Sequence, residues 1–304
     1  MSGLYRADAA VARKAQLRGM RIGFLMDPLE NVRVFHDSTF ALMLECQRRG
    51  LEVRELRQEW LYVADSKAHA RMRTVEVQRQ EGDHVRVAGE YDAPLSELDV
   101  LFLRKDPPVD VDYLRATQIV ELGPGPLLIN HPRGLRSANE KLFVLRFPDL
   151  IPPTLVSREI PRLREFVEAH GGDGVVKPLD GCGGQGVLRV RKGDPNLSTL
   201  LELATSAGRV PVMAQAYLPA VREGDKRIIL LQGEPLGAVL RVPREGELRA
   251  NFASGGKAAP ASLNVTSPTG LVEIDALTGD SLEARVVDFA LERAGLRARA
   301  AAGM

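Results

Sequence analysis

Cysteine is nearly absent. Only Cys46 and Cys182 occur in 304 residues, with no C-x-x-C pair, which excludes a disulfide framework and suits a reducing cytoplasm. Histidine is sparse too: His36, His69, His84, His131 and His170 stand apart without ligand-like spacing, against zinc chemistry or a catalytic His pairing. No apolar run is long enough to cross a bilayer. No charge of one sign dominates, since 41 Lys and Arg offset 40 Asp and Glu, so nothing in the balance points to nucleic acid or a membrane surface as partner. Neither G-x-x-x-x-G-K-[ST] nor G-x-S-x-G occurs, which disfavours a P-loop enzyme and an α/β-hydrolase.

What is present centres on glycine. Val175 to Arg191 reads VVKPLDGCGGQGVLRVR, and Gly181, Gly183 and Gly186 fit G-x-G-x-x-G. The dinucleotide turn of that pattern needs a strand before it and a helix after it. Val175 and Val176 predict the strand, but Val187 to Arg191 alternates apolar and basic residues at the two-residue period of a second strand. The stretch therefore reads as a glycine-rich hairpin with Lys177 on its first strand. Two roles stand equally open for it. One is a structural turn; the other is a set of backbone N–H groups and a compact ammonium gathered for phosphate.

The length allows two or three domains. Residues 1–19, rich in Ala and Arg, predict a tail, with Met20 an alternative start. Arg21 to Pro28 is a strand ending at a turn. Asp37 and Ser38 offer caps for a helix over Thr39 to Arg49 closed by Gly50, and Leu51 to Leu56 is a second strand. Trp60 to Val87 holds alternation that predicts an antiparallel excursion. Leu98 to Leu103 is a buried strand running into Arg104-Lys105-Asp106-Pro107-Pro108. Charges at the carboxyl end of a parallel strand sit where open α/β sheets bind ligands; for Arg104 the functional and structural readings balance. After a helix over Tyr113 to Leu122 and a strand over Leu127 to Asn130, Asn139 to Phe143 is read on a helix, where Lys141 by itself is solvated surface. A β-α-β-β segment carries the glycine hairpin, and Val212 to Pro219, Gly224 to Leu231 and Leu236 to Val242 read as further strands. Ser267 as N-cap with Pro268 at the first helical position marks a helix start, a ready anion site.

Seven stretches then fall in register: MDP (Met26 to Pro28), RKDPP (Arg104 to Pro108), NEKLF (Asn139 to Phe143), KPLDGCGG (Lys177 to Gly184), MAQAYLP (Met213 to Pro219), GDKR (Gly224 to Arg227) and NVTSPTG (Asn264 to Gly270). Together they resemble the bacterial glutathione synthetase family of the ATP-grasp superfamily, from about Met20 to the C-terminal helix. The resemblance implies an α/β fold. A tail at 1–19 would precede a doubly wound N-terminal domain at 20–138 and an ATP-grasp unit of two α+β subdomains at 139–304. Within that unit the lid would take about 150–215 and the C-terminal subdomain, incomplete here, about 216–304.

The same resemblance implies a cytoplasmic, homo-oligomeric ligase joining γ-glutamylcysteine to glycine with ATP and Mg²⁺ or Mn²⁺. Lys141 and Lys177 would contact phosphates, Gly181, Gly183 and Gly184 would form the lid, and Gln215, Ala216, Tyr217 and Leu218 the adenine hinge, with Asp225 also on the nucleotide. Arg227, Arg241 and Arg249 would be catalytic. Arg104, Arg241 and Arg249 are candidates for substrate carboxylates, since a guanidinium pairs bidentately with them. Asn264 would be a metal ligand, and Val265, Thr266 and Ser267 would meet the glycine end. Val242 to Lys257 resembles a loop that keeps water from an acyl phosphate. Cys182 lies in the lid without a His partner and reads as a small loop residue.

One departure matters. The family places a helix and a pair of strands, with an Asp and a Glu metal ligand, before its NVTSP motif. Here only Ala258 to Leu263 separate Lys257 from Asn264; Ser262 stands at the Glu position and the Asp has no counterpart. Two functions of different class therefore stand: the tripeptide-forming ligase, or a catalytically impaired homologue that at most binds nucleotide. A related ATP-grasp carboxylate–amine ligase is a further option. Glu273 and Asp275, the nearest acids, are expected to point away from the phosphates.

Overall fold

The computed structural model describes residues 19–180, 183–242, 257–259 and 271–301. Seven strands form the first sheet: β1 (Arg21–Leu25), β2 (Glu52–Leu56), β3 (Leu61–Ala64), β4 (Lys67–Val77), β5 (Val85–Pro94), β6 (Val100–Leu103) and β7 (Leu127–Ile129). The order is β3-β4-β2-β1-β6-β7, with β5 paired to β4. The four strands β2, β1, β6 and β7 run parallel, while β3, β4 and β5 extend the sheet antiparallel. The expected antiparallel excursion is this long hairpin.

Alternation along the parallel strands divides two cores. Ile22, Phe24, Val53, Val100 and Phe102 face one side, where α1 (Ser38–Arg48) lies. Its first turn is held by Asp37, whose carboxylate accepts the Phe40 N–H at 2.8 Å, the cap read from the sequence. Leu25, Leu56, Leu101 and Leu103 face the other side, packing Tyr113 and Val120 of the α2 (Val111–Ile119) region and Leu135 of α3 (Pro132–Ser137). The sheet is doubly wound, as expected.

Asn139 to Phe143 is not an α-helix. The chain turns after α3 and resumes as a 3₁₀ segment at Phe143–Arg146. The reason is local: Asn139 Oδ1 accepts the N–H groups of Lys141 (2.9 Å) and Leu142 (3.0 Å), an alternative that a short polar side chain offers the backbone.

Next comes an antiparallel sheet in the order β10-β9-β11-β8, made of β8 (Thr154–Ser157), β9 (Asp173–Pro178), β10 (Leu188–Arg191) and β11 (Val212–Ala216). Helices α4 (Ile160–Ala169) and α5 (Leu197–Ala204) cover one face, with Leu163, Val167, Leu197 and Leu201 on Val176, Val190, Val212 and Ala214. The glycine hairpin is β9 turning into β10, with Val176 opposite Leu188. A third sheet holds β12 (Asp225–Leu231), β13 (Glu234–Val242) and β14 (Lys257–Ala259). Helices α6 (Leu271–Thr278) and α7 (Leu282–Ala301) complete the fold. Ile229, Val239, Ile274, Leu282 and Val287 share one core with Phe40 and Met43 of α1, so the last helices bind the third sheet to the first domain. Gly237 makes this possible, since a Cβ there would lie 2.8 Å from Ile274 Cγ2.

Candidate active site

Opposite its helices, the sheet of β8 to β11 carries a second buried face, with Met213 and Gln215 on β11. Val176 and Ala214 point to the helices, so Lys177 and Gln215 project from the other side. Lys177 Nζ donates to Gln215 Oε1 at 2.6 Å, and Gln215 Nε2 donates to Thr154 Oγ1 at 2.9 Å. Burial holds the Lys177 ammonium below the usual lysine range, and nearby Lys141 pushes the same way. The two lysines thus converge, although they are distant in sequence and Lys141 sits on a turn. Lys141 also pairs with Glu140. Beside them runs the hairpin turn, where Gly183, Gly184 and Gly186 have φ of +60°, +78° and +68°. Gly186 tolerates no side chain: a Cβ would stand 2.6 Å from Pro178 Cγ.

β11 leads into Tyr217 and Leu218. The Ala216 N–H donates to Pro153 O (3.0 Å) and the Tyr217 N–H to Asp173 O (3.1 Å), which fixes the exit of the strand. Arg189 stacks on the Tyr217 ring, its guanidinium carbon 3.6 Å from the centroid, and is itself held by Asp173. Leu218 is exposed.

The third sheet turns a charged face inward. Arg227 and Arg241 are both buried, on the same side as Ile229 and Val239. Arg241 sits opposite Asp225 in the ladder and grips its carboxylate with two bonds, Nε to Oδ1 at 2.7 Å and Nη2 to Oδ2. Burial lowers the Arg227 guanidinium to about 10, and Arg241 adds to this; Asp225, Glu140 and Glu273 act in the opposite direction. Glu140 therefore links this group to the lysines.

Arg104 ends β6 in the first domain. It is buried, its Nε donates to Thr39 Oγ1 at 3.0 Å, and burial depresses it while Asp37 and Asp106 support its charge. Asp106 is raised, by burial and then by Asp37. Neighbouring Lys105 pairs with Asp27 at 2.8 Å. MDP and RKDPP thus meet at the carboxyl ends of adjacent strands.

Lys141, Lys177, Gln215, Asp225, Arg227 and Arg241 therefore gather around the two sheets, with Arg104 on the first. Gly181, Arg249, Asn264, Val265, Thr266 and Ser267 lie outside the described residues, as do Cys182 and most of the Val242 to Lys257 loop. Glu273 packs inward on α6, 3.5 Å from His36 Nδ1, and is among the acids that support the Arg227 charge. Helical spacing alone had no means of showing that α6 docks across Gly237. Asp275 turns the other way and accepts the Leu282 N–H at 3.0 Å. Glu140 and His36 are neighbours of the site that the sequence reading missed; only Glu140 carried a signal, by sitting inside NEKLF.

The arrangement fits a polyanion. One wall offers a buried ammonium and a glycine turn, the other two buried guanidiniums. Among the described residues no three His, Cys, Asp or Glu side chains gather to hold a metal, and Asn264 lies outside those residues. A helix-covered lid sheet and a second sheet with basic groups between them define an ATP-grasp enzyme, a class of ATP-dependent carboxylate–amine ligases. Solved structures agree on the fold. The RimK domain protein ATP-grasp from Sphaerobacter thermophilus matches 89% of this chain and 99% of its own, at 17% identity and a TM-score of 0.55. D-cycloserine synthetase DcsG matches 79% and 75%, at 18% identity and a TM-score of 0.51.

Residues 20–136 match the family "Prokaryotic glutathione synthetase, N-terminal domain" and residues 140–264 its ATP-grasp domain. Glutathione synthetase from Escherichia coli is 44% identical over 247 residues, covering 80% of this chain and 78% of that one. The Pseudomonas putida protein is 39% identical over 307 residues, covering 88% and 96%. This chain belongs to the prokaryotic glutathione synthetase family, and it is an ATP-dependent ligase. The Gloeobacter violaceus relative, 40% identical, aligns over 317 positions that use 90% of this chain, about 274 of its 304 residues, and 97% of the relative. The alignment is therefore longer than the chain and opens gaps in it.

Proposed function

We propose that this chain joins the cysteinyl carboxylate of γ-glutamylcysteine to the amine of glycine, releasing ADP and phosphate. The observation that supports this reading is the approach of Lys141 to Lys177 and of Arg227 to Arg241 in an ATP-grasp fold, with Glu140 near both pairs. A carboxylate is a poor electrophile, so its oxygen first attacks the γ-phosphorus and ADP leaves; the amine then displaces phosphate from the acyl phosphate. The protein's part is positioning and charge neutralisation. Lys177, held by Gln215, presents its ammonium to the phosphates. Lys141 stands beside it, and the turn at Gly183 and Gly184 lets backbone approach. Gln215 to Leu218 bound the base, while Arg227, Arg241 and Arg249 meet the transferring charge. Arg104 holds a substrate carboxylate, and Asn264 to Ser267 take the metal and glycine end. Mg²⁺ or Mn²⁺, when bound, neutralises the β- and γ-phosphates. Family membership supports a cytoplasmic homo-oligomer in the same reading.

The test is ADP release with γ-glutamylcysteine, with and without glycine, at several Mg²⁺ levels. Release that needs both substrates and metal is expected. A second reading, a homologue that binds nucleotide without turnover, is favoured by the gaps against the relatives and by Ser262 in place of an acidic ligand. ADP at background under every condition, with nucleotide binding intact, establishes that reading instead.

A further inference from the structure

The strand registers place more than Lys177 and Gln215 on the face opposite the helices. Arg189 lies opposite Val175 in the ladder of β9 with β10, and Val175 opposite Gln215 in that of β9 with β11. Val176 and Val190 pack under the helices, so Asp173, Lys177 and Arg189 project together from the other side. Asp173 makes two kinds of bond there. Its carbonyl accepts the Tyr217 N–H at 3.1 Å, and its carboxylate accepts Arg189 Nε at 2.8 Å, with Nη2 on the other oxygen. The guanidinium so held lies over the Tyr217 ring, 3.6 Å from the centroid, and the Arg189 side chain is 15% exposed. One residue of β9 thus fixes Tyr217 twice, by its backbone directly and by its ring through Arg189. Tyr217 in turn joins the end of β11 to the exposed Leu218. Four residues of strand, roughly 13 Å, run from Asp173 to Lys177 along this face. The lysine stands at one end and the stack of Arg189 on Tyr217 at the other.

We propose that Arg189 is a positioning residue for the base end of the nucleotide: carried by Asp173, it holds the Tyr217 ring and with it the chain turning into Leu218. This rests on the reading of Gln215 to Leu218 as the boundary of the base, and two ligands separate the inference from that reading. Binding is measured by calorimetry for ATP and for inorganic tripolyphosphate, which has phosphates but no base, at matched free Mg²⁺. The proteins are the intact chain, Arg189→Gln, Arg189→Lys, Tyr217→Leu and the double variant Arg189→Gln with Tyr217→Leu, each with its melting temperature. The intact chain should bind ATP more tightly than tripolyphosphate. Arg189→Gln should weaken ATP about threefold to tenfold, the scale of a lost cation–π contact, and leave tripolyphosphate unchanged. Arg189→Lys, which keeps a cation near the ring, should recover part of the loss. With Tyr217→Leu already in place, Arg189→Gln should cost nothing further, because Arg189 acts through the ring. ATP binding unchanged by Arg189→Gln, an equal loss for both ligands, or losses that multiply in the double variant overturn the proposal. An intact chain with no preference for ATP over tripolyphosphate overturns the base reading itself.

Discussion

Lys177 on the lid sheet and Arg227 on the third sheet are both cations withdrawn from water, but they keep different company. Lys177 is bonded to a neutral amide, and the charge named beside it is another lysine. Arg227 has a like charge nearby too, yet Asp225, Glu140 and Glu273 stand around it. The lid cation thus carries a desolvation cost that a bound anion relieves. On the third sheet burial outweighs the carboxylates, and the guanidinium stays depressed to about 10. Both walls thus carry a desolvation cost that a bound anion relieves, and the third sheet differs in having acidic neighbours whose place depends on how its elements dock.

The largest effect that sharpens this contrast is on binding. Lys177→Ala should weaken ATP binding by roughly 1.5–3 kcal/mol, the worth of a hydrogen bond to a charged group, with little change in melting temperature. Calorimetry and a thermal melt check both halves. A large fall in melting temperature with affinity unchanged would reverse the contrast and make the glycine hairpin a structural turn.

Docking should show its importance next. Gly237→Ala places a methyl 2.8 Å from Ile274 Cγ2 and 3.2 Å from Leu282 Cδ1. Overpacking of that kind costs roughly 1–3 kcal/mol, so the urea midpoint should drop. A variant as stable as the parent means that α6 shifts freely, and then the place of Glu273 is not held as argued.

The smallest effect is on pH dependence, and it belongs to the helices behind the third sheet. Asp275 is raised to about 7, by burial first and then by its hydrogen bond with Glu283; burial also works against Glu283, but the bond from Asp275 helps bring it below its usual range. The pair thus shares one proton. Because the folded pKa of Asp275 lies above its unfolded value, its contribution to stability is full at low pH and is lost as pH rises through about 7. The melting temperature should therefore decline between about pH 4, its unfolded value, and about pH 7. Asp275→Asn, which imitates the protonated carboxyl, should flatten that decline. A profile identical in parent and variant rules out the shared proton.

Much of the lid was legible because its determinants are local. Alternation at Val187 to Arg191 excluded the helix of a dinucleotide turn, and β10 is the strand that pattern demands. Asp37 announced the cap of α1 in the same way. The turn at Asn139 was less legible, since NEKLF suits a helix and only the observed Asn139 Oδ1 bonds reveal the competitor.

By itself the sequence determined the strands, the caps, the glycine turn and the register of seven motifs, since each depends on residues a few positions apart. The approach of Lys141 to Lys177, the burial of Arg227 beside Arg241, and the packing of α6 and α7 against α1 were decided only by tertiary structure. The physical reason is that buried charge and close approach depend on what arrives from elsewhere in the chain. Glu273 is an ordinary helical carboxylate until Gly237 lets its helix lie down on β13.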